Sequence, residues 1–393
     1  MSPGGVRRYL HPFPARMAPE VALQKISLLT ARGDVVLDPM CGSGTVVRLA
    51  ADEGRKAIGV DLDPLAILIT RSTCSPGWLT NLESRAQAIV RQARGLTQML
   101  PEWVASDDET TAFVSFWFGP NQADALSRLA RVLASLPRKD DPLRVALSRL
   151  IITKDSGASL ARDTAHSRPH KVRETNDFDV YNGFISAARR LEGLGVPAEG
   201  SSRSQVRRCD ARNLSFLDPE VADLVITSPP YLNAIDYLRG HRMSLVWLGW
   251  TIPQLRQLRA NTIGAERSLN RGAELVASLV KVAVPRDAKL PPRQVGMISR
   301  FARDVDRLAA SLARVVKKHG HVVMVVANSQ FDGVPIRNAA ICRTAAAAHG
   351  FSLTRTQQRA LPARHRYLPP PGNSVGSLSQ RIRKEEILTF RKG

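Results

Sequence analysis

Apolar positions along the chain gather into short β-branched runs separated by stretches of helical spacing. VVLDP (Val35 to Pro39) follows a Gly33-Asp34 break and predicts a buried strand. The loop CGSGT (Cys41 to Thr45) comes next, and VVRLAADEG (Val46 to Gly54) has helical composition closed by a glycine. AIGVDLD (Ala57 to Asp63) is a second apolar strand ending in acids. Strand, glycine loop, helix and strand within about 30 residues form the first βαβ unit of a doubly wound α/β sheet.

The rhythm returns late in the chain. DLVITS (Asp223 to Ser228) predicts a strand that runs into Pro-Pro. Phe301, Val305, Leu308, Leu312 and Val315 recur at helical spacing, with Lys317, Lys318 and Gly320 as the stop. His319 and His321 flank that glycine and read as a helix-end cap, not as metal ligands. HVVMVVA (His321 to Ala327) is the next buried strand, ICRTAAAAHG (Ile341 to Gly350) another helix, and FSLTRTQ and EEILTF the closing strands.

Between the halves, residues 75–204 are too long for a crossover loop. Helical spacing around Ala123 to Leu136 and Leu143 to Leu150 makes this an inserted, mainly helical subdomain, with an irregular basic stretch from Asp163 to Thr175. The expected organisation is 1–74 as a cofactor-binding half, 75–204 as the insertion and 205–393 as the catalytic half. A second stretch, about 251–294, carries Pro, Gly and scattered Arg and reads as irregular.

Composition narrows the partners. The 393 residues are 44% hydrophobic and 23% charged, ordinary globular usage, so a buried core is expected. No apolar run reaches the ~18 residues of a membrane span, and no signal-type stretch opens the chain, which predicts a cytoplasmic protein with no membrane contact. Four dispersed cysteines without a CxxC pair speak against a disulfide framework or a zinc ribbon. The net charge of +21 points to a polyanion, most simply nucleic acid. It is concentrated: Asp236 to Arg366 holds 22 Lys/Arg against 7 Asp/Glu.

Two motifs carry chemistry. Asp38-Pro39-Met40-Cys41-Gly42-Ser43-Gly44 leaves a strand and opens a helix, so Gly42 and Gly44 let backbone N–H groups approach a ligand. The loop lacks the Lys-Ser/Thr of a phosphate loop and is not GxGxxG, which disfavours a nucleoside triphosphate or a dinucleotide. Asp61, 17 residues after Gly44, stands where an acid holds ribose hydroxyls, and Asp38 suits a cationic group. A ligand with an adenosine end and a cationic amino-acid end fits both: S-adenosylmethionine. In the second motif, Thr227-Ser228-Pro229-Pro230-Tyr231, two prolines fix the backbone after a buried strand. Ser228 and the Pro229 carbonyl then offer acceptors, and Tyr231 a stacking ring. An exocyclic amino group, with two hydrogens and a π face beside it, matches that set.

The sequence resembles the DNA amino-methyltransferases, which make N4-methylcytosine or N6-methyladenine. HPFPAR (His11 to Arg16), DPMCGSGT (Asp38 to Thr45), VDLDP (Val60 to Pro64), CDAR (Cys209 to Arg212) and TSPPY (Thr227 to Tyr231) match the family's motifs in one order. The resemblance covers 9–74, 205–240 and, more weakly, 300–391, and it implies a Rossmann-like methyltransferase sheet. It places Phe13 on the methionine part of the cofactor. Asp38 and Gly42 would line the amino-acid end, with Cys41 and Gly44 of the same loop beside the cofactor; Asp61 would hold the ribose, and Asp210 would accept from the adenine amino group. Ser228, Pro229, Pro230 and Tyr231 become the catalytic corner, acting on a base flipped from duplex DNA. Neither a metal nor a covalent intermediate is required, and the chain has no Pro-Cys dipeptide for attack on cytosine C5.

Ser in the first position of that corner favours cytosine over adenine. Arg239, His241 and Arg242 follow the corner as expected phosphate contacts. Arg355, Arg359, Arg364 and Arg366 cluster near the closing strands, and Arg168, Pro169, His170 and Lys171 in the insertion are candidates for sequence readout. Double-stranded DNA is the expected partner, with a cognate restriction endonuclease as a second one. Three alternatives stay open: an adenine-N6 DNA methyltransferase, an RNA amino-group methyltransferase and a nucleic-acid-binding protein with an inactive pocket.

Overall fold

Alternation along the central strands sorts their side chains onto two covered faces. Val36 packs with Val46, Leu49, Ile26, Leu224 and Ile226, whereas Leu37 packs with Val225, Leu308, Leu312 and Ile341. Strands buried on both faces are the mark of a parallel sheet sandwiched by helices. The computed structural model describes residues 10–13, 16–153, 157–162, 169–194, 204–230, 232, 237–263, 273–361 and 384–393.

The strands are β1 (Val35–Asp38), β2 (Lys56–Asp61), β3 (Ala161–Arg162), β4 (His170–Lys171), β5 (Ser204–Arg208), β6 (Ala222–Thr227), β7 (Val316–Val326), β8 (Ser329–Phe331), β9 (Val334–Ile336), β10 (Phe351–Ala360) and β11 (Lys384–Lys392). Seven of them form one sheet in the order β10-β11-β7-β6-β1-β2-β5. From β7 to β5 all pairs are parallel; β11 runs antiparallel to both β7 and β10. This is a doubly wound, Rossmann-like α/β sheet. The chain winds outward from β1 through β2 to β5, then returns to β6 on the other side of β1. That reversal is a topological switch point, and it opens a crevice at the carboxyl ends of β1 and β6.

Helices α1 (Pro19–Leu29), α2 (Thr45–Asp52) and α3 (Pro64–Cys74) belong to the first half. The insertion supplies α4 (Leu82–Arg94), α5 (Glu102–Ala105), α6 (Asp108–Trp117), α7 (Pro120–Ala134), α8 (Asp141–Ile151) and α9 (Val180–Glu192). After β6 come α10 (Tyr237–Leu245), α11 (Ile252–Ala260), α12 (Ala273–Ala283) and α13 (Pro292–Val315), and then α14 (Asn338–Ala348). The inserted helices do not build a separate core. Leu126, Leu147 and Phe184 share one apolar cluster with Leu10 and Phe13, with Leu65 and Ile69 of α3, and with Leu238 and Trp247.

Two expectations need correction. The stretch 251–294, expected to be irregular, is helical wherever it is described apart from short connections. Thr251 and Gln254 form a capping box, and Pro253 stands in the first turn of α11, where a proline starts a helix instead of breaking it. His319 and His321 are not a helix cap, because α13 ends at Val315 and both lie in β7. A shift in the β6–β7 register and a positive φ at His319 absorb the Lys317–Gly320 segment, with Lys317 paired to Asp223 at 2.7 Å.

Among the described residues, no helix is long and apolar enough to cross a membrane. Trp247 is 1% exposed, and its ring meets Phe118 edge-on at 5.1 Å, bridging the insertion to the segment after α10. Trp247→Ala should therefore destabilise the whole fold by about 3–5 kcal/mol. A single cooperative transition, displaced as one step in chemical denaturation, is the expected result. Selective loss of the insertion's helix signal would contradict the shared core.

Candidate active site

Two sequence-distant turns leave the sheet side by side. Leu37 of β1 pairs with Val225 of β6 in parallel, so Asp38 and the Ser228–Pro230 corner emerge next to each other at the switch point. Between them lies an open cleft lined by Phe13, Asp38, Cys41, Gly42, Asp61, Asp210, Ser228 and Pro230. Gly44 and Pro229 do not line it, and Tyr231 lies outside the described residues.

The glycine turn is shaped by close contacts. Gly42 has φ +50°, and a Cβ there would stand 3.2 Å from the Phe13 ring. Gly44 has φ +79°, and its Cβ would fall 2.9 Å from Thr70, so Gly44 serves the turn and not the ligand. Thr70 fastens the turn by donating to the Gly42 carbonyl at 3.0 Å. Gly42 N–H donates to Asp61 Oδ2 at 2.8 Å, and Asp63 N–H to Asp61 Oδ1 at 2.9 Å. The Cys41 thiol is buried against Gly59 and Thr70, and burial pushes its pKa well above the ordinary value, so it is packing and not a nucleophile.

Electrostatics single out two carboxyls. Burial raises Asp38 to about 8; Asp61 nearby adds to this, while the Met40 N–H and the Thr227 hydroxyl oppose it. Burial also raises Asp61 to about 6, with Asp63 contributing and the N–H donors of Asp63 and Gly42 opposing. No cation is among the groups acting on Asp38. A buried carboxyl of this kind fits a ligand that brings its own positive charge, which the ammonium and sulfonium of S-adenosylmethionine would do.

The remaining predicted residues divide. Asp210 is at the cleft, but the Arg212 guanidinium grips it with contacts of 2.7–3.1 Å and also reaches Asp304 at 2.5 Å. Its carboxylate is thus oriented by an arginine fork, which leaves less capacity for a ligand amino group. Ser228 donates its hydroxyl hydrogen to the Val325 carbonyl at 3.1 Å, leaving oxygen lone pairs for the cleft.

His241, expected to meet a phosphate, is instead 5% exposed: Nδ1 lies 2.5 Å from Asp63 Oδ2 and the ring 5.1 Å from Phe13. Arg239 is exposed on α10, and Arg242 lies 5.1 Å over the Phe113 ring. His170 and Lys171 form β4, where Lys171 pairs with Glu174 and covers Phe116; neither lines the cleft. Arg359, expected to line the cleft, is committed to Glu20 and Glu385. Arg168, Arg364 and Arg366 lie outside the described residues.

Sequence reasoning missed Asp63, whose side chain caps α3 by accepting from Leu65 N–H at 2.8 Å. The Asp63-Pro64 pair was a legible helix-start signal. It also missed Arg16, which lines the cleft and donates to the His11 carbonyl at 3.3 Å.

A doubly wound sheet with an acid-rimmed glycine turn facing a Ser-Pro-Pro corner is the arrangement that the resemblance to amino-methyltransferases implies. Residues 3–71 match the DNA methylase family of N6 and N4 amino-group enzymes. The Type II methyltransferase M.MvaI of Kocuria varians is 21% identical over 97% of this chain and 90% of its own length. The Type II methyltransferase M.AvaI of Nostoc sp. is 24% identical over 81% of this chain and 73% of its own. For M.BsoBI of Geobacillus stearothermophilus the identity is 24%, over 58% and 50%. The match over residues 3–71 and the likeness to Type II methyltransferases support the family of N4/N6 DNA amino-methyltransferases, which use S-adenosylmethionine.

The raised carboxyls make a pH prediction with a definite sign. Burial raises Asp38 to about 8 in the fold from the ordinary carboxylate value of 3.8, so its favourable contribution is full below about 4 and lost as pH rises through about 8. In the free protein, Asp38→Asn should raise the melting temperature by at least about 2 °C at pH 8.5, with the difference fading towards pH 4. Cofactor affinity of the unsubstituted protein should improve between pH 6 and 8.5, with proton release on binding. Asp38→Asn should lose both the slope and the proton release. Calorimetric titrations in buffers of different ionisation enthalpy read both quantities.

Proposed function

We propose that the protein methylates the exocyclic N4 amino group of cytosine at a specific site in duplex DNA, acting on a base flipped out of the stack. The observation that carries this reading is the single cleft shared by the glycine turn and the Ser228–Pro230 corner. The Type II naming of its relatives supports a restriction–modification setting, with a cognate endonuclease as a further partner.

Bound S-adenosylmethionine supplies an electrophilic methyl group. The chain's own residues make the acceptor nucleophilic. The amino nitrogen of cytosine is conjugated with its ring and has little lone-pair character. Ser228 Oγ, its hydrogen already given to Val325, is left to accept one amino hydrogen within the cleft; the motif assigns the other to the Pro229 carbonyl, although Pro229 does not itself line the cleft. Two acceptors on one side draw the nitrogen towards a pyramidal geometry with its lone pair free. Tyr231, next in sequence, is assigned to stack on the base. Asp38 and Asp61 hold the cofactor's charged and ribose ends, and Phe13 closes its apolar side. Orientation of the base against the cofactor then supplies much of the acceleration. Ser as the first corner residue favours cytosine.

Mass spectrometry of nucleosides from methylated duplex DNA should show N4-methylcytosine. Ser228→Ala should lower kcat by about 10²–10³-fold, as expected for loss of a preorganised hydrogen-bonding group, while cofactor affinity stays within about twofold. Full transfer by both Ser228→Ala and Tyr231→Ala would place the chemistry elsewhere. N6-methyladenine as the product would change the base and leave the site standing.

A further inference from the structure

A chain of short contacts links the glycine turn to the helix that follows the base corner. Gly42 N–H binds Asp61, and Asp61 accepts from Asp63 N–H. Asp63 in turn caps α3 and meets His241 Nδ1 at 2.5 Å. His241 stands on α10, which begins nine residues after Ser228, and one turn before it on the same helix is Leu238, in the wall of the cleft. The His241 ring also lies against Phe13, so one buried side chain touches both the cofactor loop and the N-terminal arm.

We propose that His241 is a positioning residue that couples the two halves of the cleft. Because Asp63 Oδ2 is an acceptor, His241 Nδ1 is the protonated ring nitrogen and donates to it. That bond fixes the start of α10, and with it the far end of the base-binding segment, to the loop that carries Asp61. Filling the cofactor half therefore favours the arrangement of the base half, and binding of cofactor and of target DNA are mutually reinforcing. This rests on the DNA-methyltransferase reading, although its cofactor arm does not need DNA.

Three variants separate donor from ring. His241→Phe keeps a ring against Phe13 but removes the donor. His241→Asn keeps a donor in place of Nδ1 but removes the ring. Asp63→Asn keeps a helix-capping side chain and alters the other partner of the bond. The first measurement is S-adenosylmethionine affinity by calorimetry without DNA. It should weaken about tenfold in His241→Phe, the scale of one hydrogen bond to a charged group, and by less than about threefold in His241→Asn.

The second measurement is the factor by which cofactor tightens binding of a target duplex. It should exceed about fivefold in the unsubstituted protein, fall to within about twofold of unity in His241→Phe and Asp63→Asn, and be largely restored in His241→Asn. A purely structural role would lower the melting temperature and weaken both ligands without changing that factor. An unchanged factor in both His241→Phe and Asp63→Asn, or a factor of one in the unsubstituted protein, overturns the proposal. Should His241→Phe fail to fold, Asp63→Asn and His241→Asn decide the matter alone. Failure of the unsubstituted protein to bind or methylate DNA would instead sink the functional reading, and the cofactor affinities would still test the His241–Asp63 bond.

Discussion

The Asp61 carboxylate, held between two backbone N–H groups, is the constraint on which the cleft depends. Each of its two oxygens accepts one N–H, from Gly42 and from Asp63, which pins the turn after β1 to the turn after β2 and leaves a lone pair on each oxygen. Parallel strands alone set only the spacing of their ends. The carboxylate fixes the orientation of the loops that leave them, and it does so from inside the protein, where such a bond is stronger than in water. Positive φ at Gly42 and Gly44 then lets the backbone pass beneath Phe13 and Thr70 without a side chain in the way.

The insertion serves the site from a distance. His11 Nε2 lies 3.0 Å from Ser148 Oγ on α8, and Arg149 of the same helix donates to the Leu10 carbonyl. The arm bearing Phe13 is thus clamped by helices that enter the chain more than sixty residues later. Leu10 and Phe13 also lie in the apolar cluster of those helices. An arm of a few residues could not hold an aromatic ring over a ligand by itself, because ordering it costs about 1–2 kcal/mol per residue. The shared core supplies that ordering, so the insertion positions the Phe13 wall of the cleft.

Much of this was legible in the residues, for identifiable reasons. VVLDP and AIGVDLD are short β-branched runs with a glycine turn between them, and local pattern suffices for such a unit. The adjacency of Asp38 to Ser228 was implied once both segments were read as strand ends of one doubly wound sheet. His241 failed because sequence gives residue type and spacing but not burial: an Arg-Gly-His-Arg run (Arg239 to Arg242) looks basic and exposed. Only the packing of α10 onto α3 and α8 turns its histidine inward. The 251–294 segment failed because prolines and arginines were weighed by composition, when position within the first helical turn decides what a proline does. Arg212's grip on Asp210 was in plain view two residues away, yet a cofactor role for the acid hid the simpler ion pair.

The site also shows how a binding cleft holds energy in reserve. Asp38 and Asp61 are buried carboxyls whose ionised forms the free fold tolerates poorly near neutral pH, as their values of about 8 and about 6 express. Left-handed backbone at Gly42 places a loop where an alanine would be both strained and crowded. The buried Asp38 carboxyl and the left-handed turn at Gly42 do not improve the stability of the free protein, whereas Asp61 holds the two turns together. A cationic, ribose-bearing ligand relieves the first directly and fills the space the second keeps open, so part of its binding free energy comes from a penalty already present in the fold. Selectivity follows from the same source: a neutral or anionic molecule of similar shape would leave Asp38 uncompensated and bind less well. The buried Asp38 carboxyl is therefore the group in the cleft that favours a cation.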